Sequence, residues 1–156
     1  MQTRFVILAA LFALLLPAVL VSAAVTTDRK KGEASLQEAM HFEEDKVQLV
    51  ELEADGIKLK AKLRIGDFFD KKIINANADV TNTGDQAKHF QYYIAFFDAD
   101  GNLIGCTDQG SFGEEGLAAG KDTQLGSCLI ELDPEDIKKV KSYQAVLYVG
   151  DDQIGK

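Results

Sequence analysis

The chain is poor in the residue types that most often hold metals or act as general bases. It contains two histidines and two cysteines in 156 residues. His41 and His89 lie far apart and neither has a motif partner, so the four residues do not give the ligand spacing of a zinc site. The sequence therefore predicts no metal and no cofactor, and we expect His89 to be a surface residue at the start of a strand.

Motifs of nucleophilic catalysis and nucleotide binding are also missing. Neither Ser111 nor Ser127 has the flanking glycines of a nucleophile elbow. The glycine-rich stretch 107–121 has no strand leading into a dinucleotide loop and no Walker lysine. The acidic pairs 43–44 and 114–115 lie in polar stretches, where water would solvate the carboxylates. We predict that the protein is not an enzyme.

Positive charge is scarce. The chain has 17 basic and 25 acidic residues, a formal net charge of −8, and one of the basic residues, Arg4, falls in the N-terminal leader described next. An acidic domain repels nucleic acid and anionic membrane surfaces. We therefore expect neither as a partner, and attribute the charge chiefly to solubility.

The N-terminus has the pattern of a cleavable signal peptide, residues 1–24. Arg4 precedes an apolar run that extends to Val21 and is broken by Pro17, and the small residues Ser22, Ala23 and Ala24 follow. This order is typical of a signal peptide that is cut after Ala23 or Ala24. An uncleaved membrane anchor is the alternative, because about 17 apolar residues are near the lower limit for spanning a bilayer. We predict export to the periplasm or the extracellular space, without a membrane segment in the mature form.

Cys106 and Cys128 both lie in the exported part of the chain. In an oxidising compartment such a pair favours a disulfide, which would stabilise the fold by roughly 3 kcal/mol in the loop-entropy model. Two buried free thiols are the alternative.

The centre of the predicted fold is the stretch 89–102, HFQYYIAFFDADGN. Five of the 13 aromatic residues lie between Phe90 and Phe97. In a strand, successive side chains point to opposite faces, so Phe90, Tyr92, Ile94 and Phe96 form one face and Tyr93, Ala95 and Phe97 the other.

A tight turn at 98–101 then leads to a returning strand. This turn is similar to the first half of a calcium loop, but its twelfth position is Gln109, which cannot supply a bidentate carboxylate. We interpret it as a turn and keep a weak calcium site as a hypothesis.

Further strands are predicted along the chain, and the alternation of apolar and polar residues is strictest at 57–65. Residues 46–65 predict a hairpin with an Asp-Gly turn, whose second arm presents a basic row (Lys58, Lys60, Lys62 and Arg64) that we interpret as a solvated face, with an anion-binding row as the alternative. Strands at 74–81, 122–132 and 142–149 follow, with a short helix that starts at Pro134 after the cap Asp133.

Six to seven strands at this spacing predict an all-β, two-sheet sandwich with one short helix. We divide the chain into a signal peptide (1–24), a polar tether with a short helix at 35–42 (25–45), the sandwich (46–150) and a frayed tail (151–156).

Several stretches also resemble a known family. Val80-Thr81-Asn82-Thr83-Gly84, then Ile94 to Gly101, then Leu117-Ala118-Ala119-Gly120 resemble the bacterial FxLYD-type immunoglobulin-like domains. The sequence departs from that pattern at positions 94, 96, 97 and 119 and carries an additional N-terminal hairpin. The resemblance implies an immunoglobulin-like sandwich and an envelope or extracellular accessory role without a common catalytic site.

The apolar residues on both faces of 92–97 raise a question of function. We expect the hairpin 46–65 or the tether to cover Tyr93 and Phe97. The alternative is an exposed patch for a protein partner or for self-association. We predict an exported, non-enzymatic β-sandwich that acts as a binding or accessory module. The alternative is a secreted inhibitor-like protein that masks one partner enzyme through the loop 107–121.

Overall fold

The computed structural model describes residues 24–68, 71–111 and 113–154. They form eight strands and one helix: β1 (Thr26–Glu33), β2 (Gln48–Ala54), β3 (Ile57–Phe68), β4 (Lys71–Asn82), β5 (His89–Phe97), β6 (Leu103–Gly110), β7 (Asp122–Glu131), α1 (Pro134–Lys139) and β8 (Ser142–Gly150), with a single 3₁₀ turn at Glu44–Lys46. The predicted signal peptide falls almost wholly on residues 1–23, outside the described part. Among the described residues, no helix has the length and apolar character needed to cross a membrane.

The strands form two antiparallel sheets of four. Sheet A has the order β1-β8-β5-β6 and sheet B the order β2-β3-β4-β7. The buried apolar side chains of both sheets form one core, as in a sandwich whose inner faces interdigitate. The predicted all-β two-sheet sandwich with one short helix is confirmed.

The aromatic stretch forms the centre of this core. Phe90, Tyr92 and Phe96 of β5 are at most 2% exposed, and β5 lies between β8 and β6 in sheet A. Burying a side chain of this size stabilises a fold by about 1.5–3 kcal/mol relative to its exposure. The inward face of β5 is thus a main source of the sandwich's stability, as its alternation predicts.

The predicted hairpin 46–65 is present as β2 and β3. Asp55 and Gly56 have φ angles of 39° and 80°, which is the pair of positive values that a two-residue type I′ turn requires. Val50 and Ala61 are opposite one another and fully buried. The turn chemistry and the alternation therefore fix the same register.

The prediction of a tether with a helix over residues 25–45 is wrong. Residues 26–33 form β1, which pairs with β8 along its whole length. The segment that follows pairs with the end of β3, where Ile65 N donates to Gln37 O (2.8 Å) and Ala39 N donates to Ile65 O (3.0 Å). These backbone groups are consequently not available for a helix.

The prediction of a frayed tail over residues 151–156 is wrong for its first residue. Asp151 Oδ1 accepts a hydrogen bond from Lys88 Nζ at 2.7 Å, so the chain is held just after β8. Residues 155–156 lie outside the described part.

Candidate functional site on the outer face of sheet A

The outward side chains of β5 are not covered by another part of the described chain. Tyr93 is 38% exposed, and Ala95 and Phe97 are half-buried. The hairpin 46–65 belongs to sheet B, and β1 lies beside β8 in the plane of sheet A. The expectation that one of these segments lies across Tyr93 and Phe97 is therefore wrong.

Strand β8 enlarges this apolar surface. Cross-strand partners in a sheet share a face, and the register places Val146 opposite Tyr93 and Tyr148 opposite Gln91. The rings of Tyr93 and Tyr148 lie edge to face, with centroids 6.1 Å apart and planes at 83°, an arrangement that aromatic pairs prefer. We call the surface formed by Tyr93, Ala95, Phe97, Val146 and Tyr148 the outer patch.

The outer patch has charged margins of opposite sign. On the β1 side, Arg29 is opposite Val146 and Lys31 is opposite Gln144. On the β6 side, Asp108 is opposite Tyr93 and its Oδ2 accepts a hydrogen bond from Gln91 Nε2 at 3.3 Å. An apolar centre with polar margins is the composition typical of protein interfaces.

The alternation within β5 identifies Tyr93 and Phe97 but not the rest of this surface. The signal for Val146 and Tyr148 lies in the stretch SYQAVLYV, where apolar residues also occur on both faces of the strand. Arg29 and Lys31 could not be placed, because a highly charged edge strand gives no apolar alternation. Their position depends on pairing with β8, more than 100 residues away.

Cys106 also lies on the outer face of sheet A, opposite Ala95, and it is a free, exposed cysteine in the structure. Partial burial of the sulfur, with the negative charge of Asp108 nearby, raises the pKa of the Cys106 thiol. Cys128 is in β7 of sheet B, and its side chain is not among those described. Because Cys106 points away from sheet B, the predicted Cys106–Cys128 disulfide is not present in this arrangement.

Other residues singled out in the sequence have structural roles. His89 is 5% exposed, so its expected surface position is wrong. The Ser111 hydroxyl lies 3.5 Å from His89 Nδ1, and it accepts a hydrogen bond from Phe90 N at 3.1 Å. Ser111 thus holds the start of β5 to the chain that leaves β6.

The carboxylate of Asp98 holds the turn after β5 by hydrogen bonds. Asp98 Oδ1 accepts from Asp100 N (2.9 Å) and Asn102 N (2.8 Å), and Oδ2 accepts from Asn102 Nδ2 (2.9 Å). The bonds from Asn102 are the largest cause of the lowered pKa of Asp98. Both oxygens are thus directed into the turn, and the described residues include no group of three or more His, Cys, Asp or Glu suited to a metal ion.

Three of the four cations in the basic row of β3 contact other side chains of the described chain. Lys58 Nζ lies 3.7 Å from Glu53 Oε1, and Lys62 Nζ lies 2.9 Å from Asp79 Oδ2. The Lys62 hydrogen bond is the largest cause of the lowered pKa of Asp79. The Arg64 guanidinium lies 4.7 Å from the centroid of the Phe42 ring. Because these contacts already engage three of the four cations, they count against an anion-binding row.

The glycine-rich stretch proposed as an inhibitory contact is divided between two elements. Its first residues, 107–110, belong to β6. Further along, Leu117 and Lys88 exchange two backbone hydrogen bonds of 2.8 and 3.0 Å. Phe112 lies outside the described residues. The described part of this loop is therefore tied to the start of β5.

No family model matches this chain, and no match is found among curated proteins. Among solved structures, the chain is similar to one described as the structure of infectious bursal disease virus Gx strain, at 14% identity and a TM-score of 0.36, over 86% of this chain and 28% of the viral one. It is also similar to the Avr2 effector protein of the fungal plant pathogen Fusarium oxysporum, at 14% identity and a TM-score of 0.30, over 85% and 93% of the two chains. The chain thus spans about a quarter of the viral chain's length. At these TM-scores neither similarity indicates a function, and the description of the fold rests on the strand order of the chain itself.

Proposed function

We propose that the protein is an exported, non-enzymatic binding or accessory module of the cell envelope or extracellular space, and that it binds a protein through the outer patch. The observation that carries this proposal is the uncovered apolar centre of sheet A, where Tyr93 is 38% exposed on the strand at the heart of the core. A contiguous apolar patch on a soluble domain marks an interaction surface more often than an isolated apolar residue does.

Several observations support the remaining parts of the proposal. The polar groups that could suggest catalysis, such as Ser111 and Asp98, are engaged in holding turns and strand ends. The leader of residues 1–24 supports export, and the resemblance to FxLYD-type domains supports an accessory role in the envelope.

Site-specific photo-cross-linking tests the proposal. A benzoylphenylalanine residue replaces Tyr93 in one variant and Lys60, on the outer face of sheet B, in a matched control. Both are expressed in the source cells and irradiated. We expect a discrete adduct from position 93 and none from position 60. Equal cross-linking from both positions, or none from position 93, would contradict binding through the outer patch.

A further inference from the structure

We propose that the occupant of the outer patch is a second copy of the same chain, in a face-to-face dimer whose two-fold axis runs parallel to the strands of sheet A. This inference rests on the proposed function and specifies its partner. It follows from the arrangement of one row of side chains across the four strands.

The row consists of Arg29, Val146, Tyr93 and Asp108. Arg29 is opposite Val146 on β1 and β8, Val146 is opposite Tyr93 on β8 and β5, and Tyr93 is opposite Asp108 on β5 and β6. The row therefore runs from a cation through two apolar side chains to an anion. Its two ends differ in charge, and its centre is apolar.

A two-fold axis parallel to the strands brings this row against itself in the opposite direction. Arg29 of each copy then faces Asp108 of the other, and Val146 faces Tyr93. A two-fold interface uses the same surface on both copies, so each favourable contact occurs twice. An axis perpendicular to the strands in the same plane would instead place β1 over β1 and bring the basic residues together.

The charge balance of the two sheet faces favours sheet A as the contact. A net charge of −8 opposes association of two copies. The margins of the outer patch, however, carry both signs, and Arg29 and Lys31 take no part in the ion pairs found among the described residues. On sheet B, by contrast, Lys58 and Lys62 already have carboxylate partners in their own chain.

The available area suits a weak, reversible dimer. Four strands about 4.8 Å apart, with four rows of outward side chains about 6.8 Å apart, give a face of roughly 500 Å² per copy. Two copies then bury about 1,000 Å² in total, the lower end of the range for specific interfaces. We therefore expect dissociation on dilution.

The experiment measures the dimer dissociation constant by sedimentation equilibrium of the protein as it is isolated, with three charge variants. Arg29→Glu and Asp108→Arg each place like charges opposite one another in both halves of the dimer. We expect each to raise the dissociation constant at least tenfold. The double variant Arg29→Glu/Asp108→Arg, and an equimolar mixture of the two single variants, restore the opposed charges and should return to within about threefold of the wild type.

Both positions are exposed, so the fold is expected to survive, and thermal unfolding of each variant checks this. Lys121→Glu, an exposed charge reversal outside the outer patch, is the matched control and should leave the dissociation constant unchanged. The inference is overturned if the wild type stays monomeric at millimolar concentration, if the single variants dimerise normally, or if the double variant is not restored.

The cross-linking experiment separates this failure from failure of the proposed function. A monomeric protein that gives a position-93 adduct with a different protein overturns the second-copy inference and leaves the binding function standing. A monomeric protein without any such adduct contradicts both.

Discussion

At the scale of single residues, Cys106 is the side chain whose position differs most from its predicted role. The sequence predicts a bond to Cys128, because two cysteines in an oxidising compartment commonly pair. The structure places Cys106 on the outer face of sheet A beside Ala95, where its thiol is free and exposed. The direction of the side chain on β6 decides against the bond, and that direction depends on a register that cysteine spacing does not reveal.

We expect Cys106 to be alkylated by iodoacetamide in the native protein without prior reduction, as read by peptide mass spectrometry. The thiolate is the reacting species, and burial raises the pKa of the Cys106 thiol. Alkylation should therefore be slower at neutral pH than that of a free cysteine peptide, and it should accelerate at pH values above the ordinary range of a thiol. A disulfide-linked pair of peptides that contain Cys106 and Cys128, detected without reduction, would contradict the structure and restore the sequence-based prediction.

At the scale of elements, the β2–β3 turn combines backbone strain with close packing. Gly56 has a φ angle of 80°, and a Cβ atom added there would lie 3.1 Å from the backbone nitrogen of Gly84. Gly101, in the turn after β5, has a similar φ angle of 83° but no atom within 4 Å of an added Cβ. The two turns thus separate the effect of a left-handed backbone from the effect of crowding.

We expect Gly56→Ala to destabilise the protein more than Gly101→Ala does. The left-handed conformation alone costs a residue with a Cβ roughly 1–2 kcal/mol, which both variants incur. Gly56→Ala must in addition displace the backbone near Gly84. Urea unfolding of both variants measures the difference. Equal losses of unfolding free energy in the two variants would show that the backbone near Gly84 moves away from the added Cβ at no cost.

Much of the fold could be predicted from the sequence, because strands that bury one face leave a strict alternation. The apolar residues of β3 and β5 are spaced by two, and the turns after β2 and β5 carry Asp and Gly at the required places. Strand β1, TTDRKKGE, lacks this signal because most of its side chains are exposed. It is a strand only because β8 pairs with it, and such a distant pairing leaves no local trace.

The site was predicted in part for the same reason. The apolar residues on both faces of β5 identified Tyr93 and Phe97 as residues that need either cover or a partner. Which of the two applies depends on the sheet that the hairpin 46–65 joins. The alternation in that hairpin specifies its buried face but not its neighbouring strands, so the expected cover was wrong.

At the scale of the whole molecule, Lys88 connects the two sheets at one end of the sandwich. Its Nζ lies 2.7 Å from Asp151 Oδ1, just after β8 of sheet A, and 2.6 Å from Asp55 Oδ2, in the β2–β3 turn of sheet B. These two hydrogen bonds raise the pKa of Lys88. The Lys88 side chain is only 13% exposed, so this pairing is better shielded from solvent than the other lysine pairs of the described chain.

We expect Lys88→Met to lower the free energy of unfolding by about 1 kcal/mol at pH 7, the upper range for ion pairs with exposed partners. Folding raises the pKa of Lys88. Its ion pairs therefore contribute their full stabilisation of the fold at pH values below the pKa of lysine in the unfolded chain, about 10.4. This stability is lost as the pH rises through the higher folded value. The difference between variant and wild type should therefore shrink above about pH 10.5.

Urea unfolding at pH 7, 9 and 11 makes the comparison. Lys138→Met, which removes a 2.6 Å pair with Glu135 on the surface of α1, serves as the control and should cause no measurable change. Two results would contradict stabilisation by the Lys88 ion pairs. One is a Lys88→Met protein as stable as the wild type at pH 7, and the other is a difference in unfolding free energy that is as large at pH 11 as at pH 7.

The place of β8 between β1 and β5 has a consequence for biosynthesis. A ribosome releases the N-terminal part of a chain first, so β1 has no neighbour to pair with until β8 has been translated. Within the described chain, the last strand of sheet B is β7, which ends at Glu131, so sheet B can assemble sooner. Sheet A can thus complete its pairing only once residue 150 is available, and β1 stays separated from β5 and β6 until then.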